Sequence, residues 1–170
     1  MRVAVGMRPE DQTRPPVPGS ARLTRTPLAG AVSPAEAGLL VRGDERPFAL
    51  TGAWAGGGAL VGSEPLWTAS SGADPFALLD RQPSVTDGVA DAVGGGWFGY
   101  LGYGLGARLE PVPSPPPRPT PLPPFALAFY DHLLRLDAAG RWWFEALWTP
   151  DREAALRRRL GLLRRGSNGA

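Results

Sequence analysis

Cysteine, lysine and isoleucine are absent from this chain, and histidine occurs once. Without cysteine there are no disulfides, no thiolate nucleophiles and no cysteine-based zinc or iron–sulfur sites. Without lysine there is neither a Walker A phosphate loop nor a Schiff-base mechanism. A lone histidine, His132, excludes a histidine-rich metal cluster. An excess of one charge is missing too: 18 basic side chains, all arginine, face 16 acidic ones, for a formal charge of +2. The pI of about 9.6 therefore says little about function, because arginine has taken the place of lysine in a chain biased toward Ala, Gly, Pro and Arg, as GC-rich coding produces. Six arginines (Arg152, Arg157, Arg158, Arg159, Arg164 and Arg165) crowd the C-terminal end instead of interleaving with aromatics, so no nucleic-acid partner is expected. Long apolar runs are also lacking. The uncharged stretches 47–63 and 92–107 are broken by glycines, and the first residues, Met1-Arg2-Val3, reach charge at once. Neither a membrane helix nor a signal peptide is expected, and the expected location is the cytoplasm.

What is present fits one domain of 170 residues, 43% hydrophobic, with about a quarter of its positions Gly or Pro. Residues 1–30 read as a flexible lead-in, with a short strand at 21–28. The domain proper spans 31–165, and 166–170 form a tail. Ser33-Pro34-Ala35-Glu36 starts a helix: a capping hydroxyl, a proline in the first turn and an acid behind it. Residues 47–54 and 59–62 read as two strands reversed by Gly56-Gly57-Gly58. Asp74-Pro75 caps a second helix. The glycine–aromatic block 95–109 reads as a buried segment on which other backbone closes. Residues 111–124 hold nine prolines and read as an extended surface loop.

Beyond that loop, Phe125, Leu127 and Phe129 alternate with Ala126, Ala128 and Tyr130, and the extended pattern continues from His132 to Leu136. Asp137-Ala138-Ala139-Gly140 makes a turn. The return strand sets Trp142, Phe144, Ala146 and Trp148 against Trp143, Glu145 and Leu147. Thr149-Pro150-Asp151 then caps a helix whose Leu156, Leu160 and Leu163 oppose Arg157, Arg158, Arg164 and Arg165. The fold class is α+β: an antiparallel β-sheet sandwich with a few short helices.

Chemistry-bearing patterns are few. Gly102-Tyr103-Gly104-Leu105-Gly106-Ala107 spells a dinucleotide fingerprint, but the proline run follows too soon for the helix that would receive the phosphates. Arg118-Pro119-Thr120-Pro121-Leu122-Pro123-Pro124 spells a polyproline ligand or a stiff connection. His132 lies in a strand, with no serine on an activating turn. No catalytic set and no metal-ligand set is visible.

Two segments carry a resemblance. Phe48-Ala49-Leu50-Thr51-Gly52 followed by Leu60-Val61-Gly62-Ser63-Glu64-Pro65 matches a strand, a loop and two apolar residues before G-x-x-P. Gly95-Gly96-Trp97-Phe98-Gly99-Tyr100-Leu101-Gly102-Tyr103, closing on Glu110, matches G-G-x-x-G-Y-x-x-Y ending in an acid. With the strand from Phe129-Tyr130-Asp131 to Asp137 in the same order, residues 30–150 resemble the N-terminal domain of the chorismate-utilising component I enzymes, aminodeoxychorismate synthase and anthranilate synthase. The resemblance implies a scaffold with no catalytic residue, no metal and no cofactor of its own. It also implies partners: a separate catalytic chorismate-binding half that uses magnesium, and a glutamine amidotransferase subunit supplying ammonia. The complete enzyme would convert chorismate to 4-amino-4-deoxychorismate on the way to folate. Its implied structural motif residues are Gly62, Pro65, Gly95, Gly96, Gly99, Tyr100, Tyr103 and Glu110. Leu50, Thr51, Gly52, Gly58 and Ala59 stand where a tryptophan-type pocket is expected. Thr51-Gly52 replaces the Glu-Ser of anthranilate synthases, which favours the aminodeoxychorismate branch. The alternatives are a stand-alone module for a small aromatic ligand, an anthranilate synthase fragment, or an adaptor using the proline loop.

Overall fold

The structure, a computed structural model, describes residues 19–30, 32–54, 56–108, 110 and 122–167. The proline-rich segment 111–121, most of the lead-in and residues 168–170 of the tail lie outside the described residues.

The local signals act as read. In α1 (Pro34–Leu40) the Ser33 hydroxyl accepts from the Glu36 amide, while Glu36 Oε2 accepts from the Ser33 amide at 2.7 Å. This reciprocal cap satisfies amides that the first helical turn leaves without partners. In α2 (Pro75–Leu79) Asp74 Oδ1 accepts from the Phe76 amide at 3.0 Å. The hairpin joining β8 (His132–Asp137) to β9 (Trp142–Trp148) turns at Gly140, φ +75°. Asp137 anchors that turn. The Arg141 amide and then the Trp143 indole N–H hold its carboxyl down at about 2, with Ala139 N–H adding to them.

Among the described residues the α+β architecture has nine strands in two sheets. The larger sheet runs β2 (Phe48–Trp54), β3 (Gly57–Gly62), β8, β9, β1 (Ser20–Pro27), β5 (Ser84–Thr86). The smaller runs β4 (Trp67–Thr68), β7 (Phe125–Tyr130), β6 (Gly96–Leu101). Every pairing is antiparallel except β1 with β5. Because β1 lies between β9 and β5, the folded body reaches back at least to Ser20, ahead of the boundary expected at 31. Of the three glycines expected in the β2–β3 reversal, only Gly56 occupies the turn, at φ +71°; Gly57 and Gly58 belong to β3. The short strands β4 and β5 had no sequence signal of their own.

Strand alternation sorts the large sheet into two chemistries. One face carries Ala59, Val61, Leu134, Phe144 and Ala146 against Ala37 and Val41 of the α1 segment and Leu156 and Leu163 of α3 (Glu153–Ser167). The other packs Leu23 and Leu147 on Phe129 of the small sheet. β9 is therefore covered on both sides. The rest of the small sheet's inner face, Phe125 and Leu127, packs on Leu78 of α2 and on Leu105. Leu105 belongs to the 3-10 turn Tyr103–Arg108, so the glycine-rich fingerprint leads into a short turn and not into a phosphate-binding helix.

Close backbone approach, expected of the glycine–aromatic block, is realised at Gly95, Gly99 and Gly102. A Cβ on Gly99 would stand 1.8 Å from the Ala126 carbonyl oxygen. The expected burial is realised only in part. Trp97 and Phe98 are half-buried, whereas Tyr100, Leu101 and Tyr103 are exposed, Tyr103 at 99%. Tyr100 and Leu101 end β6, which among the described residues is the last strand of its sheet, and Tyr103 begins the turn beyond it.

Two glycines should respond oppositely to one methyl group. Gly99→Ala should lower unfolding free energy by about 2 kcal/mol or more, because backbone blocks the added carbon and φ is +150°. Gly161→Ala, in the open middle of α3, should raise it by about 1 kcal/mol. Urea denaturation of the two variants beside the parent checks both signs.

Candidate functional site

An apolar concavity lies where the edge strands of the two sheets come together. Phe48 and Leu50 of β2, Leu60 of β3, Trp97, Phe98 and Gly99 of β6, Tyr130 of β7 and Trp54 line a cleft of about 470 Å³. That size suits a small ligand or an inserted side chain. Its wall is an aromatic stack. Phe48 and Phe98 lie with ring centroids 4.4 Å apart and planes 23° apart, and Tyr130 meets Phe48 edge-on at 5.0 Å. Gly62 makes this possible, because a Cβ there would stand 2.4 Å from the Phe48 ring. The polar ends of the wall are already engaged: Tyr130 donates its hydroxyl to the Arg46 carbonyl at 2.8 Å, and Trp54 donates its indole N–H to the Thr51 carbonyl at 3.0 Å. Burial pushes the Tyr130 hydroxyl's pKa up, keeping it neutral. The surface on offer is thus carbon and ring face, suited to apolar contact and stacking.

Behind Phe98 and Tyr130, the outer face of the small sheet forms a second, shallower depression of about 440 Å³, floored by Ala126 and Ala128 and rimmed by Arg46, Thr68 and Ser71. Among the described residues two open edges border the cleft, since there β2 is hydrogen-bonded only to β3 and β6 only to β7. Neither strand contains a charged residue or a proline, the usual devices that keep an edge from accepting another strand. Trp54, Tyr100 and Leu101 beside them are exposed by 46%, 41% and 45%.

The five positions expected to form a tryptophan-type pocket are neighbours on the β2–β3 hairpin, with Thr51 opposite Ala59, but they do not line one cavity. Leu50 lines the cleft. Ala59 is fully buried in the core on the opposite face of the sheet. Thr51 and Gly52 are exposed, where the β2–β3 register shifts. Gly58 is half-buried against the Leu136 side chain. The period of two along a strand is what separates neighbours such as Leu50 and Thr51. The motif residues are spread over several elements. Gly62 seats Phe48, Pro65 leads into β4, and Gly95 and Gly96 open β6 with positive φ. Tyr100 donates its hydroxyl to the Pro123 carbonyl, and the Glu110 amide donates to the Gly106 carbonyl.

Sequence reading missed three buried charge clusters. Glu145, with no exposed surface, accepts from the amides of Val93 and Gly94 at 2.7 and 3.1 Å and pairs with Arg25 and Arg135, each at 3.4 Å. Arg159 reaches from α3 to Asp44 and to the Ser63 hydroxyl. Asp131, at the corner between β7 and β8, holds His132 Nδ1 at 2.8 Å and Arg152 Nε at 2.7 Å. One signal was available for the first: Glu145 is the only charge in a strand apolar on both faces. In the other two, the bonds of Arg159 to Asp44 and Ser63 and of Arg152 to Asp131 join residues far apart in the chain, which no local pattern shows.

Among the described residues no group of three or more His, Cys, Asp or Glu could hold a metal ion. Among the described residues no helix is long and apolar enough to cross a membrane. No family model matches the chain, and no curated protein matches it.

Burial alone would raise the pKa of Asp131, but the bonds and charge of His132 and then Arg152 outweigh it and hold the carboxyl below its usual range. A depressed carboxylate stabilises the fold above its unfolded pKa and loses that contribution as pH falls. Asp131→Asn should therefore cost about 3 kcal/mol at neutral pH, and the gap from the parent should narrow as pH drops below about 4. Denaturation midpoints measured across that range give the comparison; parallel profiles would contradict it.

Proposed function

We propose that this chain is the non-catalytic scaffold half of a chorismate-utilising enzyme similar to aminodeoxychorismate synthase component I. The observation that carries the reading is the pair of uncharged, exposed sheet edges, β2 and β6, flanking an apolar cleft. A domain that works alone rarely leaves so contiguous an apolar border open to water. One that receives a second body needs such a border, and strand addition plus side-chain insertion is a direct way to use it. The order of the Phe48–Pro65 and Gly95–Glu110 motifs, through the resemblance, supports as the second body a separate catalytic half carrying the chorismate and magnesium sites, fed with ammonia by a glutamine amidotransferase. Thr51 and Gly52, exposed and without the Glu-Ser pair, support the aminodeoxychorismate branch over the anthranilate branch. In this reading the chain works in the cytoplasm and its contribution is shape: it completes the sheets and walls of the catalytic half and moves no proton itself.

Co-expression with the catalytic half of an aminodeoxychorismate synthase lacking its own N-terminal domain tests this. A one-to-one complex that consumes chorismate with ammonia and magnesium is expected. The chain alone should consume none. Leu101→Lys, at the open edge, should abolish assembly while leaving the thermal transition of the isolated chain in place. Turnover by the chain alone, or failure of the two halves to associate, would remove the reading.

The aromatic stack favours one second reading, a stand-alone module for a small planar ligand. Trp54, on the cleft and partly exposed, is its reporter. Titration with tryptophan and other aromatic acids should leave the fluorescence of the scaffold flat; a saturable change lost in Trp54→Phe would favour the module instead.

A further inference from the structure

Helix α3 turns Leu156, Arg159 and Leu163 into the fold and leaves Arg157, Arg158, Leu162, Arg164 and Arg165 exposed. On a helix, the residues three and four places away on either side are a position's surface neighbours. Gly161 is therefore ringed by Arg157, Arg158, Arg164 and Arg165, with Leu162 at the margin. The fold explains part of this ring, since Arg164 is itself engaged. Arg157 pairs with Glu153 at 2.6 Å, but Arg158 and Arg165 make no hydrogen bond or ion pair among the described residues. The helix dipole favours cations in the last turn, which covers Arg164 and Arg165. Arg157 and Arg158 lie two turns earlier. Gly161 has ordinary helical φ, and a Cβ there would meet only the tip of Arg165, 3.8 Å away. A residue that weakens helices thus stands where alanine would fit.

We infer that this face docks an acidic amphipathic helix of a partner protein, crossing α3 at Gly161. A glycine at a crossing point lets a second helix approach at the short end of the usual 8–10 Å spacing. The arginines around it then reach past the crossing to carboxylates on the partner, where guanidinium forks bind in pairs of hydrogen bonds. Charge complementarity thus sets the partner's chemistry: Asp or Glu about one heptad apart on either side of a small residue, with an apolar neighbour for Leu162. A nucleic acid or another polyanion would use the charge but gain nothing from the glycine, and this face holds no aromatic to stack on a base. A bilayer would need a wider apolar face than Leu162 alone. The inference rests on α3 only and is independent of the chorismate reading.

The test is fluorescence anisotropy of the full chain with a dye-labelled, alanine-based helical peptide bearing glutamates one heptad apart about a central alanine. A peptide of the same composition with its glutamates scattered around the helix is the comparison. The patterned peptide should bind at least about tenfold more tightly than the scattered one and weaken with salt. Gly161→Leu and, separately, the pair Arg158→Glu with Arg165→Glu should each reduce that binding about tenfold or more, with circular dichroism unchanged. Heparin binding should fall in the charge variant and stay level in Gly161→Leu. Equal affinity for the two peptides, no binding of the patterned one, or full binding by Gly161→Leu would overturn the inference. So would tighter binding of heparin or phosphatidylserine vesicles than of the patterned peptide.

Discussion

The corner at Asp131 is the interaction on which the arrangement depends. Phe125–Tyr130 belongs to the small sheet and His132–Asp137 to the large one, so one nearly continuous extended segment serves both layers. Strands that change sheets need a defined bend, and this one is held from several sides. The Asp131 carbonyl accepts from the Leu147 amide at 2.8 Å, which pins the corner to β9. Its carboxylate takes the ring of His132 and the guanidinium of Arg152, just ahead of α3. Sheet, sheet and helix thus meet at one buried carboxylate. Glu145 ties the layers a second time, because its carboxylate on β9 receives the amides that lead into β6. The position of β6, and with it the open cleft, follows from these two acids.

Much of the fold was legible because local chemistry and tertiary position agree. The Ser33-Pro34-Ala35-Glu36 and Asp74-Pro75 caps, the Asp137–Gly140 turn and the alternation of Phe125, Leu127 and Phe129 each depend on residues within a few positions of one another. The helix stripe of Leu156 and Leu163 was readable for the same reason. The strand near residues 21–28 was readable as a strand, but not its place inside the sheet, because nothing in Ala21–Leu28 names β9 or β5 as neighbours. β4 and β5, two and three residues long, fall below the length at which a periodicity can be seen.

The site was less legible, for physical reasons visible in single residues. A pocket built from neighbours in sequence fails on a strand: Leu50 turns to the cleft while Ala59, one position from Leu60, turns to the opposite core. The cleft's own wall joins Phe48, Phe98 and Tyr130, residues scattered over the chain that no motif groups. Tyr103 illustrates the reverse error. An aromatic among glycines reads as buried, yet in a strand and turn at the rim of a sheet it faces water. Arg159 stands among exposed arginines in sequence and is the one turned inward, toward Asp44 and Ser63; only the helical phase relative to Leu156 and Leu163 separates it from its neighbours.

The uncharged border of β6 also has a consequence for the molecule in solution. An edge of this kind does not discriminate by charge among the extended chains it meets, copies of itself included. Left uncovered at high concentration, such a border is a seed for self-association; covered by a second body, as in the proposed assembly, it is not.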